Sequence, residues 1–391
     1  MVNLFVMMVI INWNFVSAPA ETLPNATFNV YIADVVGGSS IHKGIFADRG
    51  SKADYDAWGT LIGDDTWSWE GLCPYSIKST TYTPPSEELK THFDIRNNAS
   101  AYGNGPIQIS YPSIIFPDYS NQTLAAEDIG INISDASEFG NAIGFCWVPQ
   151  TLDPKTRFRS HSCIAHYDPI ARRPNLHLIT GHLVEKILCD DNLTATGVKF
   201  TSVQTNHTHI VSANKEWDSF QTRTRSCGVE VLLDAPAVGA NFQDHPVTYL
   251  SCQSILNTSH GPCTQGTSPD AAFISLSQLT SQSQEIIDQA RAQNVSYYLP
   301  PIYRNNPALL KGYLAQRDII LDHFSRADAA VKEIPVGTTG PTQTDAEIFA
   351  ALISARAIGP SFAHPSGTRA LGRGNWEVVW EKICWCMGCG E

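Results

Sequence analysis

Residues 29–50 begin with two short apolar runs, Val30-Tyr31-Ile32 and Val35-Val36, which predict a strand running into Gly37-Gly38-Ser39-Ser40 and then a helix start. From 54 to 79, Asp, Trp and Tyr recur at helical spacing, and Pro84-Pro85 closes the segment. The stretch Gly105-Pro106-Ile107-Gln108-Ile109-Ser110-Tyr111 alternates as a strand does. Leu176 to Ile179, Val184 to Leu188, Ala195 to Phe200 and His209 to Val211 predict successive strands. Turns at Thr180-Gly181 and Asp190-Asp191-Asn192 join them. From Pro307 to Ile334 the positions Leu309, Leu310, Tyr313, Leu314, Ile319, Ile320 and Phe324 form one apolar stripe of a long amphipathic helix. The pattern predicts a mixed α and β protein without internal repeats.

Composition narrows the class. With 391 residues, 43% hydrophobic and 10% aromatic, the chain has material for a large core and two domains, which excludes disorder and coiled coil. A net charge of −12 with only 16% charged residues gives no footprint for nucleic acid or an anionic membrane, and suits a small neutral substrate. The longest apolar run, Leu4 to Ile11, falls well short of the ~20 residues a bilayer requires, so no membrane span is expected.

Two features bear on compartment. No Lys or Arg precedes Lys43, and Ala18-Pro19-Ala20 offers small residues where a signal peptidase would cut. Asn-x-Ser/Thr acceptors occur at Asn25, Asn98, Asn121, Asn132, Asn192, Asn206, Asn257 and Asn294, against about three expected by chance. This excess predicts the secretory pathway or an extracellular location, with the cytoplasm as the alternative. Ten cysteines exceed the need of a cytosolic enzyme and fall short of a disulfide scaffold. Cys252 and Cys263 either bridge a short loop or are buried thiols. Cys384, Cys386 and Cys389 resemble half a zinc site without a second half, so no metal is predicted.

Two segments carry candidate chemistry. Val35-Val36-Gly37-Gly38-Ser39-Ser40 places glycines and hydroxyls after a strand, where backbone amides can approach a pyrophosphate. His364, in Phe362-Ala363-His364-Pro365-Ser366-Gly367-Thr368, is a candidate general base.

A series of ordered motifs then points to a family. Trp13-Asn14-Phe15, Gly37 to Ser40, Arg49-Gly50-Ser51-Lys52-Ala53-Asp54-Tyr55-Asp56-Ala57-Trp58 and Trp67-Ser68-Trp69-Glu70 begin it. Gly105 to Pro112, Arg173 to Gly181, Ala195 to Phe200, Val238 to Pro246 and His364 to Thr368 continue it. From about residue 12 to about 371 the chain resembles the glucose-methanol-choline oxidoreductases, in particular their fungal aryl-alcohol-oxidase-like branch. The resemblance implies an α/β (mixed α+β) fold, with an incomplete FAD-binding domain interleaved with an antiparallel-sheet substrate domain. It implies FAD as cofactor, contacted by Gly37, Gly38, Ser39, Ser40 and Val184, and His364 as catalytic base. Asn241, Asp244 and His245 match a structural loop near the cofactor. The implied activity is oxidation of the CH–OH group of an alcohol, with oxygen or a quinone as acceptor, in a setting of fungal secondary metabolism. A non-redox cyclase of the same family, like versicolorin B synthase, and an inactive truncated glycoprotein are the alternatives.

The expected division is 1–75 and 166–250 for parts of the FAD-binding domain, 76–165 and 251–360 for the substrate domain, 361–371 for the catalytic loop and 372–391 for an aberrant tail. Several departures from the family are expected to matter. No Gly-x-Gly-x-x-Gly turn precedes Trp13. Lys43 stands where the family has Asn, and a strand and helix are missing between Lys215-Glu216 and Cys227. After Leu371 the tail is expected to be a frameshifted form of the family's continuation.

Overall fold

The computed structural model describes residues 12–19, 27–113, 115, 119–135, 137–192, 194–218, 247–248, 270–335 and 358–359. The chain divides into two compact units. One comprises 1–169, 244–294 and 316–365; the other comprises 170–243, 295–315 and 366–391.

The first unit opens with a two-stranded antiparallel pair, β1 (Phe15–Val16) and β2 (Asn29–Val30). The predicted strand over Val35-Val36 does not form. Those residues lie in a bend and turn, because the chain must reverse into the left-handed glycines that follow. Instead of a full helix, a single 3-10 turn, Gly38–Ile41, comes next.

The predicted helical stretch resolves into α1 (Lys52–Ile62) and α2 (Trp69–Ser79). Ser51 starts α1 with a capping box: its hydroxyl accepts from the Asp54 N–H, and Asp54 returns a bond to the Ser51 N–H. Tyr55 and Trp69 then meet edge to face across the two helices, 5.3 Å between ring centres.

Strand β3 (Thr80–Thr83) pairs in parallel with β4 (Ile107–Ser110), the strand expected from the alternation at 105–111, with α3 (Glu87–Phe93) between them in sequence. After α4 (Tyr119–Asp128) comes β5 (Gly144–Trp147), buried along its whole length. It lies in an antiparallel sheet of order β11-β10-β5, where β10 is Asp270–Ile274 and β11 is Lys332–Pro335. Trp147 packs with Phe93, Ile95, Tyr111 and Ile115 into the main core cluster, and the Tyr111 hydroxyl donates to the Trp147 carbonyl at 2.9 Å. Burying the phenol is thus compensated within the core. Helices α5 (Leu276–Leu279) and α6 (Ser283–Ala292) follow β10. A two-residue pair, β9 (Val247–Thr248) with β12 (Ile358–Gly359), also belongs to this unit.

The second unit holds an antiparallel sheet, β6 (His182–Cys189), β7 (Thr194–Ser202) and β8 (Thr208–Asp218). The predicted turn at Asp190-Asp191-Asn192 joins β6 to β7, whereas the turn at 203–207 between β7 and β8 has no counterpart in the sequence pattern; Leu176 to Ile179 stay irregular, and Leu178 and Ile179 are exposed. Phe200 is buried between His182 and His209, with ring centres 5.5 and 5.4 Å away. Short helices α7 (Val295–Tyr298) and α8 (Pro301–Arg304) precede α9 (Pro307–Phe324), whose residues up to 315 belong to this unit and whose residues from 316 belong to the first, and Leu299, Tyr303 and Leu309 pack together here. The apolar stripe predicted for one helix to Ile334 ends at Phe324, since Ile334 enters β11. Among the described residues, no helix is long and apolar enough to cross a membrane.

Candidate functional site

The site begins with backbone geometry. Gly37 has φ 103° and Gly38 φ 56°, a left-handed region that side chains with a Cβ rarely enter. Two such residues in succession turn the chain sharply, and the Gly38 N–H closes the bend on the Val35 carbonyl at 2.9 Å. The N-cap of the 3-10 turn is Gly37, which has no side chain to cap it, so Val35 alone closes the first N–H.

Hydroxyls lock the turn from both sides. Ser39 Oγ accepts from the Ala33 N–H at 3.2 Å. Ser40 Oγ donates to the Gly37 carbonyl at 2.6 Å and accepts from the Ser162 N–H at 3.1 Å. Ser162 Oγ donates to the same Gly37 carbonyl at 2.8 Å and lies 2.8 Å from Ser40 Oγ. The Ser40 hydroxyl is therefore committed to holding the turn. Gly37 also sits against Cys163: a Cβ there would lie 3.1 Å from the Cys163 Cβ and N, whereas a Cβ on Gly38 would meet nothing within 4 Å. The open side of the turn is at Gly38.

Cations gather beside it. Arg159 donates to the Lys43 carbonyl. Burial pushes the Lys43 pKa down and the nearby Arg159 charge lowers it further, with Asp48 opposing. Burial also lowers Arg159, and burial together with Arg159 lowers His42. Two enclosed imidazole nitrogens, His42 Nε2 and His161 Nδ1, have no hydrogen-bond partner among the described residues. Like charges held together beside orphaned donors or acceptors favour a bound anion, which would relieve both. The turn, Lys43 and Arg159 fit a diphosphate.

The sequence-predicted residues separate as follows. Gly37, Gly38, Ser39 and Ser40 form one turn in the first unit. Val184 lies on β6 of the second unit, opposite Phe200 at a register irregularity, and is exposed. His364, Asn241, Asp244 and His245 lie outside the described residues, as do Cys252, Cys263, Cys384, Cys386 and Cys389. Arg159, His161 and Ser162 were missed. Their only local signal is the polar run from Arg157 to Ser162, which says nothing about a turn some 120 positions earlier.

A cleft of about 470 Å³ lined by Lys90, Asp94, Ile95, Arg96, Asn97 and Asp135 lies elsewhere in the first unit and is electrostatically compensated. Arg96 bonds Asp94 at 2.7 Å and Asp135 at 3.0 Å. Among the described residues no group of His, Cys, Asp and Glu is arranged to hold a metal.

The family model described as GMC oxidoreductase matches residues 15–247, more than half of the chain. The chain belongs to the GMC oxidoreductase family. Its relatives include the dehydrogenase xptC of Emericella nidulans, 28% identical over 377 residues covering 85% of this chain and 59% of the relative. Versicolorin B synthase stcN of the same organism is 28% identical over 54% of this chain and 36% of the relative. The chain thus spans less than two thirds of the length of these GMC relatives. Among solved structures, an FAD-dependent oxidoreductase from Chaetomium thermophilum is 32% identical with a TM-score of 0.75. A fungal aryl-alcohol oxidase is 30% identical with the same TM-score, and each alignment covers 85% of this chain and 64% of the other. The mixed architecture with antiparallel sheets is the fold of these GMC neighbours.

Proposed function

We propose that this GMC chain serves FAD-dependent oxidation of the CH–OH group of a small alcohol, with oxygen or a quinone as acceptor. The observation that carries the reading is the Gly37–Gly38 turn, locked by Ser40 and Ser162 and flanked by Lys43 and Arg159. Gly37 and Ser39 would hold the cofactor's diphosphate through backbone amides, Gly38 would leave it room to approach, and Lys43 and Arg159 would neutralise its charge. Bound FAD supplies the two-electron acceptor for the hydride that leaves the alcohol carbon. His364 takes the hydroxyl proton on an imidazole nitrogen, the role a near-neutral base fills best. Val184 contributes backbone contact to the adenine end. We place the alcohol in fungal secondary metabolism, in line with the fungal relatives.

Anaerobic addition of alcohols to the flavin-loaded protein tests the reading: bleaching of the flavin band is expected, and His364→Gln should slow it by about 10²–10⁴-fold with FAD still bound. A protein that takes up FAD yet never bleaches with any alcohol would overturn it. The match to versicolorin B synthase supports one second reading, a ring closure with no net redox change. In that case a cyclised product of unchanged oxidation level forms while the flavin stays oxidised.

A further inference from the structure

Eight Asn-x-Ser/Thr acceptors have no part in the proposed chemistry, and the fold separates four of them, Asn98, Asn132, Asn192 and Asn206; Asn121, inside α4, and Asn294, exposed between α6 and α7, stand outside this contrast. Asn98, Asn192 and Asn206 are exposed, and each sits in a turn rather than inside an element. Asn98 starts the short turn Ala99–Ala101, where its Oδ1 accepts from the N–H and the hydroxyl of Ser100 at 3.0 and 2.9 Å. The acceptor hydroxyl therefore already lies on the asparagine amide, and Nδ2 takes no part in those bonds. Asn192 occupies the turn between β6 and β7, with its backbone N–H on Asp190 Oδ1 at 2.9 Å. Asn206 occupies the turn between β7 and β8 with φ 55°, and Thr208, its acceptor threonine, opens β8 with its hydroxyl 3.0 Å from Thr201 Oγ1 but, unlike Ser134, is exposed.

Asn132 is the contrast. It is also exposed, but Ser134 is buried and its hydroxyl donates to the Asn141 carbonyl at 2.8 Å. Its own carbonyl accepts from the Phe145 N–H at 2.8 Å, beside β5. Remodelling that segment would disturb the central sheet.

We propose that the protein is N-glycosylated at Asn98, Asn192 and Asn206 while Asn132 stays bare. The donor class is a dolichyl-diphosphate oligosaccharide. Asparagine Nδ2 forms a bond to C1 of the reducing-end N-acetylglucosamine as the C1–O bond to the diphosphate breaks. The amide gives up one proton, dolichyl diphosphate departs, and nothing is oxidised or reduced. Surface turns accept the bulky, strongly hydrated product at no cost in packing.

The test is peptide mapping of the full chain expressed behind a cleavable secretion leader in a eukaryotic host. An N-glycosidase acting in heavy-oxygen water, without denaturant, marks each released site as a labelled aspartate. Labelled peptides at Asn98, Asn192 and Asn206 and an unlabelled Asn132 peptide are expected. Asn→Gln at each of the three sites, and separately Ser100→Ala, Thr194→Ala or Thr208→Ala, should each remove one glycan from the mass. The two variants report on one site through different side chains, so a folding defect in one leaves the other to decide. Unlabelled peptides at these three sites, or release that needs denaturant, would overturn the proposal. The mapping reads total cellular protein as well as secreted protein, so a retained chain still gives the answer.

Discussion

His323 Nε2 lies 2.6 Å from Asp54 Oδ1, which ties the last turn of α9 to the first turn of α1. The other oxygen, Oδ2, accepts from the Ser51 N–H and hydroxyl at 2.7 and 2.8 Å, so one carboxylate serves the helix cap and the interhelical tie. Burial pushes the Asp54 pKa up, but the bonds from His323 and Ser51 outweigh it and hold the carboxyl below its ordinary range.

The stability consequence has a definite sign. A carboxyl with a depressed folded pKa contributes stability that is complete above its unfolded value and disappears as pH falls through the folded one. Asp54→Ala should cost ~1–2 kcal/mol at neutral pH, mostly from the lost cap, since a partly exposed pair contributes little. The difference between variant and parent should shrink below the ordinary carboxylate range, measured as denaturant midpoints against pH. An equal loss at all pH values would refute the assignment.

Gly37 and Gly38 share a left-handed backbone but differ in surroundings. Gly37→Ala meets strain of ~1–2 kcal/mol from its backbone and crowds Cys163, so it should lower the melting temperature and flavin affinity together. Gly38→Ala has open space around its Cβ and should lose flavin affinity more than stability. Thermal melts with and without FAD separate the two. Equal stability losses in both variants would remove Gly38 as the ligand-facing side.

Much of this architecture is legible from local pattern. The Asp, Trp and Tyr spacing, the alternation at Ile107 to Ser110 and the Asp190-Asp191-Asn192 turn each encode a contact among near neighbours in sequence. Val35-Val36 and Leu176 to Ile179 read as strands because apolar runs are ambiguous. A strand also requires a partner, which no local pattern reveals. The glycines at 37 and 38 announce their turn, since no other residue adopts that backbone freely. The lock on that turn does not announce itself: Ser162 and Arg159 are ordinary polar residues until the fold carries them to Gly37 and Lys43.

Arg49 illustrates a motif residue whose role is structural. Its two guanidinium nitrogens donate to the Glu138 and Ala101 carbonyls at 2.8 and 2.7 Å, and its plane lies 5.1 Å from the Tyr102 ring centre. Glu138 and Ala101 are both buried, so those carbonyls have no recourse to bulk water. Lysine keeps the charge but cannot reach both carbonyls in one fork. Arg49→Lys should therefore cost ~1–3 kcal/mol, read from chemical denaturation, without altering flavin affinity per folded molecule. A variant as stable as its parent would show that the fork carries no net stabilisation.

Lys43 sets stability against binding. Because burial and Arg159 depress its pKa, the fold disfavours its charged form. That destabilisation is fully present at neutral pH, where the lysine is charged in both states. It fades as pH rises through the folded value toward the unfolded one. Lys43→Gln should make the cofactor-free protein more stable at neutral pH, with the gain vanishing in alkali. The same change removes a cation from the turn, so FAD should bind about tenfold more weakly, the loss of one charge-assisted contact. Added salt should weaken the parent's binding more than the variant's, since only the parent relies on that charge. A variant less stable than its parent but equal in affinity would mean that Lys43 braces the turn against Arg159 and does not face the anion.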